Sequence, residues 1–318
     1  MTWITTWSKP DVIRSALIHQ TKNQIRFCSS PSPRRRSRDS DSSVELMMED
    51  DELSTGKEGV KEFTQAVTVM DNWHQRWLTG VELLQDINEN KHLLPTGFEG
   101  LDRLLGGGLR QGQLTEIAGP SSSGKTQVCL YSASHIADKH LGVVMFLDTC
   151  NSFSPNRIAC IVNQLPTSLV KDAKERRLKR IMSSILCQSI FDIFALLDVL
   201  HQLELTLKHK VNIGGGKICL LIIDSISSLI GPTLGGKSSE GRFLMVSVGI
   251  ILKRLANDYN LSVLVTNHMV SGEGGLLKPA LGESWKTIPH IRLVISRDQG
   301  SNFCTATILK HTLMLEYS

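Results

Sequence analysis

From Leu93 to the C-terminus, short apolar runs alternate with stretches in which apolar residues recur every three or four positions, whereas residues 1–58 show neither pattern. The apolar runs predict strands near 114–118, 143–148, 181–187, 218–223, 261–266, 291–296 and 303–309. The recurring pattern predicts helices near 125–140, 190–208 and 239–257. Strands that alternate with helices indicate an α/β fold with a mainly parallel, twisted sheet flanked by helices. The run "KICLLIIDS" (217–225) has no polar gap, which is typical of a central strand buried on both faces.

The first 92 residues divide into two segments of different composition. Residues 1–58 are rich in Ser, Pro and charge, with eight bases and one acid in 1–38, then seven acids and no base in 39–52. Such a segment buries too little apolar surface to offset the entropy of ordering, so it is predicted to be disordered. Residues 59–92 have helical periodicity and are predicted to form a short helical linker.

The basic run "PRRRSR" (33–38) predicts a nuclear localisation signal. The surrounding Ser/Arg-rich and acid-poor stretch leaves an organelle transit peptide as the alternative. No run approaches the roughly 18 apolar residues of a membrane span, so no membrane contact is predicted. The net charge of +4 is too small to establish or exclude nucleic-acid binding. The seven cysteines are scattered without a C-x-x-C pair, which indicates neither a zinc site nor a disulfide framework.

The strongest chemical signal is "GPSSSGKT", which matches the phosphate-loop pattern G-x-x-x-x-G-K-[ST] between a predicted strand and a predicted helix. Glycines let backbone N–H groups turn toward phosphate oxygens, and the helix N-terminus adds positive partial charge. Lys125 is predicted to reach the β- and γ-phosphates, and Thr126 to ligate Mg²⁺. The predicted ATP-binding residues of this loop are Gly119, Pro120, Ser121, Ser122, Ser123, Gly124, Lys125 and Thr126.

Three other apolar runs end in polar residues. Asp224 closes "ICLLIID", where a carboxylate can hold Mg²⁺ through water. His268 closes "LSVLVTNH", where a side chain can sense a γ-phosphate. In "MFLDTCNSF", Asp148 ends the apolar run and Cys150 follows two residues later. An apolar run that ends in a polar residue is typical of a buried strand that delivers a polar side chain to a site.

Together these features resemble the RecA/RadA family of recombinase ATPases over roughly residues 70–315. Within that family the chain looks like a D-type, plant-like paralogue of the eukaryotic strand-exchange recombinase, because "TNH" is followed by "KPALG". The matching segments are 95–130, "SIFDIFALLDVLHQL" (189–203), "LLIIDSISSLIGPTLGG" (220–236), "VTNHMV" (265–270) and "LKPALGESWKTIPHIRLVISR" (277–297). The resemblance implies a RecA-like P-loop ATPase core over 93–318, shortened at its C-terminal end, with 59–92 as a remnant of the family's N-terminal domain and linker.

The resemblance also implies further site residues. Arg157 would lie against adenine, and ATP with Mg²⁺ would be the cofactors. Residues 231–240 match the family's first DNA-binding loop and 269–278 match the second. The DNA contacts expected in these loops are Lys237, Arg242 and Lys278. Neither loop has an aromatic residue for base stacking, so binding of single-stranded DNA is expected to be modest and salt-sensitive.

Two positions depart from the family pattern. Cys150 stands where active recombinases have a water-activating glutamate, and His268 stands where they have a glutamine. A thiol with an ordinary pKa of about 8.5 is a poor general base at neutral pH. No catalytic residue is therefore assigned with assurance, and the chain is expected to be at most a weak DNA-dependent ATPase.

The resemblance implies an ATP-binding paralogue that supports repair of DNA double-strand breaks by homologous recombination. It would act as a subunit of a hetero-oligomer with other recombinase paralogues and assist the recombinase on single-stranded DNA. Two alternatives remain open. One is an autonomous DNA-dependent ATPase or motor, and the other is a scaffold subunit in which ATP is structural.

Overall fold

The computed structural model describes residues 2–6, 79–82, 93–165, 171–209, 216–235, 240–272, 275–297 and 303–312. The chain divides into two compact units, residues 10–89 and residues 1–9 with 90–318. In the first of these, a helix begins with a reciprocal cap: Thr79 Oγ1 accepts the N–H of Glu82, and the Glu82 carboxylate accepts the N–H of Thr79. Of the predicted disordered segment (1–58), the described part is the short strand Thr2–Thr6. Of the predicted helical linker (59–92), it is residues 79–82. The other residues of both segments lie outside the described residues.

The second unit contains an eight-stranded sheet and two small strand pairs. The strands are β1 Thr2–Thr6, β2 Leu93–Leu94, β3 Leu109–Arg110, β4 Leu114–Ala118, β5 Val143–Asp148, β6 Ile185–Ser189, β7 Ile218–Asp224, β8 Ser262–Asn267, β9 Met269–Ser271, β10 Leu277–Pro279, β11 Ile291–Arg297 and β12 Phe303–His311. The order in the large sheet is β1-β12-β11-β4-β8-β7-β5-β6. Strands β11 to β6 run parallel, and β12 and β1 are antiparallel at one side. The predicted mainly parallel sheet is confirmed.

Helices cover both faces of this sheet. They are α1 Glu99–Leu104, α2 Lys125–Asp138, α3 Pro155–Gln164, α4 Lys171–Ser183, α5 Ile193–Lys208, α6 Ile226–Leu234, α7 Glu240–Tyr259 and α8 Gly282–Lys286. Helices α2, α3 and α4 pack on one face with Phe146 and Ile222. Helices α5, α6 and α7 pack on the other face with Leu147 and Ile223. Successive residues of β5 and β7 therefore serve opposite cores, which explains why these strands have no polar gap.

Two expectations about element boundaries were wrong. The strand predicted at 181–187 begins only at Ile185, because Ile181 is fully buried as part of the last turns of α4. One apolar stretch thus serves a helix and the following strand. The loop expected at 231–240 is also shorter than predicted, because α6 continues to Leu234 and α7 begins at Glu240. Leu234, at the end of α6, packs against the same core as Leu229 and Ile230.

The parallel strands bring polar groups to one edge of the sheet. Strands β4, β5, β7 and β8 all end there, and the strand β5 register pairs Asp148 with Asp224. In the part of the chain that the structure describes, no helix is both long enough and apolar enough to cross a membrane. The edge formed by the strand ends is where a ligand site is expected in an open α/β sheet.

Candidate nucleotide-binding site

The phosphate loop connects the end of β4 to the start of α2. Gly124 is the N-cap of α2 and has φ = +103°, a backbone conformation that favours glycine. A Cβ at Gly119 would lie 2.4 Å from the carbonyl oxygen of Ile295 and 2.5 Å from Ser123 Oγ. Side chains at either position would disturb the loop. The glycines of the motif are therefore required by this backbone path.

Lys125 is almost completely buried at the first position of α2. Its ammonium donates to the carbonyl oxygens of Gly119 (2.7 Å) and Pro120 (2.8 Å), so it folds back over the loop. Burial lowers the pKa of Lys125, and the nearby Asp224 carboxylate opposes that effect. An anion placed at this loop would meet a cation and the positive end of α2 together.

A cavity of about 310 Å³ lies beside this loop. Most of the predicted site residues line it: Ser121, Ser122, Gly124, Lys125, Thr126, Cys150, Arg157, Asp224 and His268. The predicted loop residues Gly119, Pro120 and Ser123 shape the loop but do not line the cavity. Three further lining residues, Gln127, Ser152 and Ser225, were not predicted. The signal for Ser225 was its position directly after the apolar strand that ends in Asp224.

The two carboxylates at the strand ends have different environments. Asp224 Oδ1 accepts the hydroxyl of Thr266 at 2.5 Å, and its Oδ2 accepts the hydroxyl of Ser152 at 3.2 Å. Asp148 instead accepts backbone N–H groups of Cys150, Ser152 and Phe153 at 3.2, 3.0 and 2.9 Å. Asp148 therefore shapes the turn that presents Cys150, while Asp224 faces the cavity through one side of its carboxylate.

Cys150 and His268 meet through two serine hydroxyls of α6 and its N-cap. Cys150 Sγ lies 3.0 Å from Ser228 Oγ, which lies 2.6 Å from Ser225 Oγ. His268 Nε2 lies 2.9 Å from Ser225 Oγ and 3.3 Å from Ser228 Oγ. We name Cys150, Ser225, Ser228 and His268 the thiol–hydroxyl cluster. Its members bond to one another, and none of them is a carboxylate.

The electrostatics of the thiol–hydroxyl cluster favour a neutral imidazole. Partial burial holds the pKa of His268 below its ordinary value, the Lys125 ammonium lowers it further, and Asp224 opposes both effects. At neutral pH the ring is therefore uncharged, so one ring nitrogen accepts a hydrogen bond and the other donates one. Ser225 and Ser228 were missed by sequence reasoning, although their three-residue spacing puts both on one face of α6.

Arg157 projects from α3 to the same cavity. Its guanidinium donates to Gln127 Oε1 at 3.0 Å and to the carbonyl oxygen of Ser152 at 3.3 Å. The side chain is exposed, so its flat face is open to a ring stacked on it. The structure thus brings Arg157 to the predicted cavity.

The predicted DNA-contact residues lie on different elements. Lys237 lies outside the described residues. Arg242 is exposed on α7, and Lys278 is exposed on β10, which pairs with β9 to form a hairpin. The base of this hairpin is tied to the cavity, because the N–H of Ala280 donates to the His268 carbonyl oxygen at 2.8 Å.

A buried polar network supports this end of the sheet. Glu116 is fully buried and accepts from Asn267 Nδ2 (2.6 Å), Trp285 Nε1 (3.1 Å) and Arg292 Nε. The Asn267 carbonyl oxygen accepts the N–H of Gly119 at 3.3 Å. The phosphate loop, β8 and the segment after the hairpin thus share one set of hydrogen bonds. The sequence signal for this network was missed. It is the presence of one charged residue inside each of two apolar strands, Glu116 in β4 and Arg292 in β11.

The chain is similar to known DNA repair proteins over 70–73% of its length. The Rad51 family model matches residues 89–304. DNA repair protein RAD51 homolog 4 of Bos taurus is 38% identical over 225 residues, which cover 70% of this chain and 67% of that protein. DNA repair and recombination protein RadB of Methanosphaera stadtmanae is 30% identical over 234 residues, covering 73% of this chain and 92% of that protein.

Proposed function

Because this chain belongs to the Rad51 family, we propose that it is an ATP-binding recombinase paralogue that acts in homologous-recombination repair of DNA double-strand breaks. Similarity to RAD51 homolog 4 and the "TNH" and "KPALG" segments support a D-type, plant-like member. It functions as a subunit of a hetero-oligomer with other recombinase paralogues, and this complex assists the recombinase on single-stranded DNA. The basic run at 33–38 supports action in the nucleus, with an organelle as the alternative.

The single observation that carries this proposal is the phosphate loop with Lys125 and Asp224 in one cavity. Residues 119–126 bind the phosphates of ATP, and Arg157 lies against the adenine. The donor set fits a nucleotide-bound Mg²⁺, which prefers a hydroxyl, waters and phosphate oxygens to a cage of protein carboxylates. Thr126 ligates that ion directly, and Asp224 holds it through water.

The thiol–hydroxyl cluster supports nucleotide holding rather than rapid turnover. ATP supplies a phosphoryl group that water can attack, but a general base must orient and deprotonate that water. Cys150 is a thiol that contacts the Ser228 hydroxyl, and His268 Nε2 is engaged by the hydroxyls of Ser225 and Ser228, so neither side chain offers a free general base for this task. The chain alone is therefore at most a weak DNA-dependent ATPase, and a neighbouring subunit supplies the groups that it lacks.

The outer strand of the sheet supports a partner interface. Among the described residues, no strand pairs with the outer side of β6. A cavity of about 350 Å³ lies beside it, lined by apolar side chains that include Met145, Leu186 and Leu203. An open strand edge next to an apolar cavity suits a partner segment that adds a strand and inserts a hydrophobic side chain. The exposed Arg242 and Lys278, together with Lys237, provide modest, salt-sensitive contacts to single-stranded DNA.

An ATP titration with Mg²⁺ tests the phosphate-loop assignment. We expect Lys125→Ala to weaken ATP binding at least about tenfold, since a charge-assisted hydrogen bond contributes roughly 1.5–3 kcal/mol. Lys139→Ala, at the exposed end of the same helix, is the matched control and should bind ATP normally. Equal affinity of Lys125→Ala and the control would contradict the assignment. A pull-down with tagged paralogues, with and without ATP, tests the complex, and capture of none of them would refute it.

A further inference from the structure

Helix α4 carries an unusual concentration of positive charge. Residues 171–180 contain six bases (Lys171, Lys174, Arg176, Arg177, Lys179 and Arg180) against Asp172 and Glu175, a net charge of +4. That value equals the formal net charge of the whole chain. Neither the proposed nucleotide site nor the proposed DNA loops use this helix.

Packing holds α4 in a fixed position. Ile181 is fully buried, and Leu178 and Met182 pack against the same core. Arg177 binds Asp138 with two hydrogen bonds of 2.7 and 2.6 Å at the end of α2, and Arg180 lies 3.3 Å from the same carboxylate. One acid thus pairs with two of the arginines and holds the helix against α2.

Four other cations remain on the outer surface. Lys174, Arg176 and Lys179 of α4, together with Lys139 at the end of α2, are exposed, and among the described residues none has a carboxylate within 4.0 Å. We call these four residues the α4 basic surface. No large apolar side chain of α4 is exposed. The surface therefore offers charge without an apolar anchor.

This composition distinguishes between classes of partner. Protein interfaces draw most of their affinity from buried aromatic and apolar anchors, and they are depleted in lysine. Nucleic-acid backbones require only positive charge at a fixed surface, and duplex DNA presents one charge per about 1.7 Å of axis. The α4 basic surface also has no aromatic side chain on which an unstacked base can lie. These properties favour duplex DNA over a protein segment or a single strand.

The α4 basic surface is remote from the phosphate loop. Asp138, which holds α4, lies 13 residues beyond Lys125 in one continuous helix. At 1.5 Å per residue, the separation is about 20 Å. This surface is therefore separate from the nucleotide cavity.

We propose that the α4 basic surface binds the phosphate backbone of duplex DNA. This inference goes beyond the proposed function, which places single-strand contacts at Arg242, Lys278 and Lys237. With both sites in use, the chain would contact the junction between a single strand and its flanking duplex.

The test uses the full chain and a labelled 20-base-pair duplex, with binding followed by fluorescence anisotropy between 50 and 200 mM NaCl. The triple variant Lys174→Gln, Arg176→Gln and Lys179→Gln removes three phosphate contacts. The magnitude of the negative slope of log K against log salt should therefore decrease by about 2–3. The same loss should weaken duplex binding about tenfold or more at 100 mM salt. ATP binding should be unchanged, which separates this result from failure of the proposed function.

The control variant removes the same charge elsewhere, with Arg103→Gln, Lys253→Gln and Lys286→Gln on α1, α7 and α8. It should bind the duplex within about twofold of the wild type. Equal loss in the two variants would overturn the proposal, because it would indicate a response to net charge alone. Two further results would also overturn the proposal. One is displacement of the labelled duplex by an unlabelled acidic peptide more readily than by unlabelled duplex. The other is tighter binding of a single strand than of the duplex at this surface.

Discussion

The two sides of the nucleotide cavity are held in different ways. On the loop side, Lys125 bonds to loop carbonyls, and Gly119 is tied through Asn267 to the buried Glu116 network. On the opposite side, the thiol–hydroxyl cluster consists of small neutral groups that bond mainly to one another. The loop side is therefore joined by hydrogen bonds to a buried polar network, whereas the cluster side is a local arrangement at the tips of strands.

This difference indicates that the capacity for hydrolysis can change with little loss of folding stability. Substitutions on the cluster side leave no buried charge without a partner, so they are expected to alter chemistry with little effect on folding. Substitutions in the network under the loop leave such a charge and disturb the fold. A chain can therefore retain ATP binding while it loses the groups needed for hydrolysis.

The largest expected effect comes from the network under the loop. Arg292→Met should leave Glu116 buried without its cation, and breaking a buried ion pair in this way costs about 3–5 kcal/mol of unfolding free energy. Urea denaturation measures this value. Arg297→Met, an exposed position on the same strand, should change stability by less than about 0.5 kcal/mol. Similar stabilities for the two variants would show that the loop side does not depend on this network.

On the cluster side, a change of chemistry is expected with no comparable loss of stability. Cys150→Glu places a carboxylate beside the cavity, and general-base catalysis typically contributes about 10²–10⁴-fold. Because the cluster was not shaped for a carboxylate, we expect single-turnover ATP hydrolysis to rise about tenfold. Cys160→Glu, at an exposed position of α3, is the control. Rapid steady-state turnover by the isolated wild-type chain would contradict our account of Cys150.

A titration remote from both sides provides a smaller, separate effect. The N–H of Leu114 donates to His290 Nδ1 at 2.9 Å, and burial lowers the pKa of His290 to about 4. The Lys253 and Lys310 ammonium groups act in the same direction and contribute to that value. The ordinary value is about 6.5, so the unfolded chain binds the proton first. The contribution of the neutral, buried His290 to folding stability is therefore fully present above pH 6.5 and is lost as the pH falls toward 4.

His290→Gln should reduce this acid destabilisation, because a glutamine does not titrate. The free energy of unfolding is measured by denaturation at pH 7.5 and pH 5. Its decrease between these pH values should be smaller for the variant by roughly 1 kcal/mol, after allowance for partial exposure of the ring. An equal pH dependence for both proteins would exclude His290 as the titrating group. ATP affinity at pH 7.5 should be the same in both, because neither side of the cavity contacts this residue.

The fold and the loop side followed from the sequence because short-range patterns determine them. Unbroken apolar runs identified β5 and β7, and the spacing of glycines with Lys125 identified the phosphate loop. Helix α4, and with it the start of β6, did not follow, since Ile181 is apolar whether it ends a helix or begins a strand. The thiol–hydroxyl cluster also did not follow, because a hydroxyl at Ser228 has no meaning until the fold places it between Cys150 and His268.

The smallest expected effect concerns His268 alone. Its pKa lies below the ordinary value through burial and the Lys125 ammonium, so the ring is neutral at pH 7.5 and gains a proton as the pH falls through that lowered pKa. A cation beside the bound phosphates should strengthen ATP binding, and an exposed charge contributes about 1 kcal/mol or less. In His268→Gln the amide keeps a bond to Ser225 but cannot titrate. ATP affinity is measured at pH 7.5 and pH 5.5 for both proteins, and the ionisation of ATP affects both equally. The gain in affinity on going to pH 5.5 should be about twofold to fivefold larger in the wild type than in His268→Gln. The same pH dependence in the two proteins would place His268 away from the phosphates and would remove the cluster from the nucleotide site.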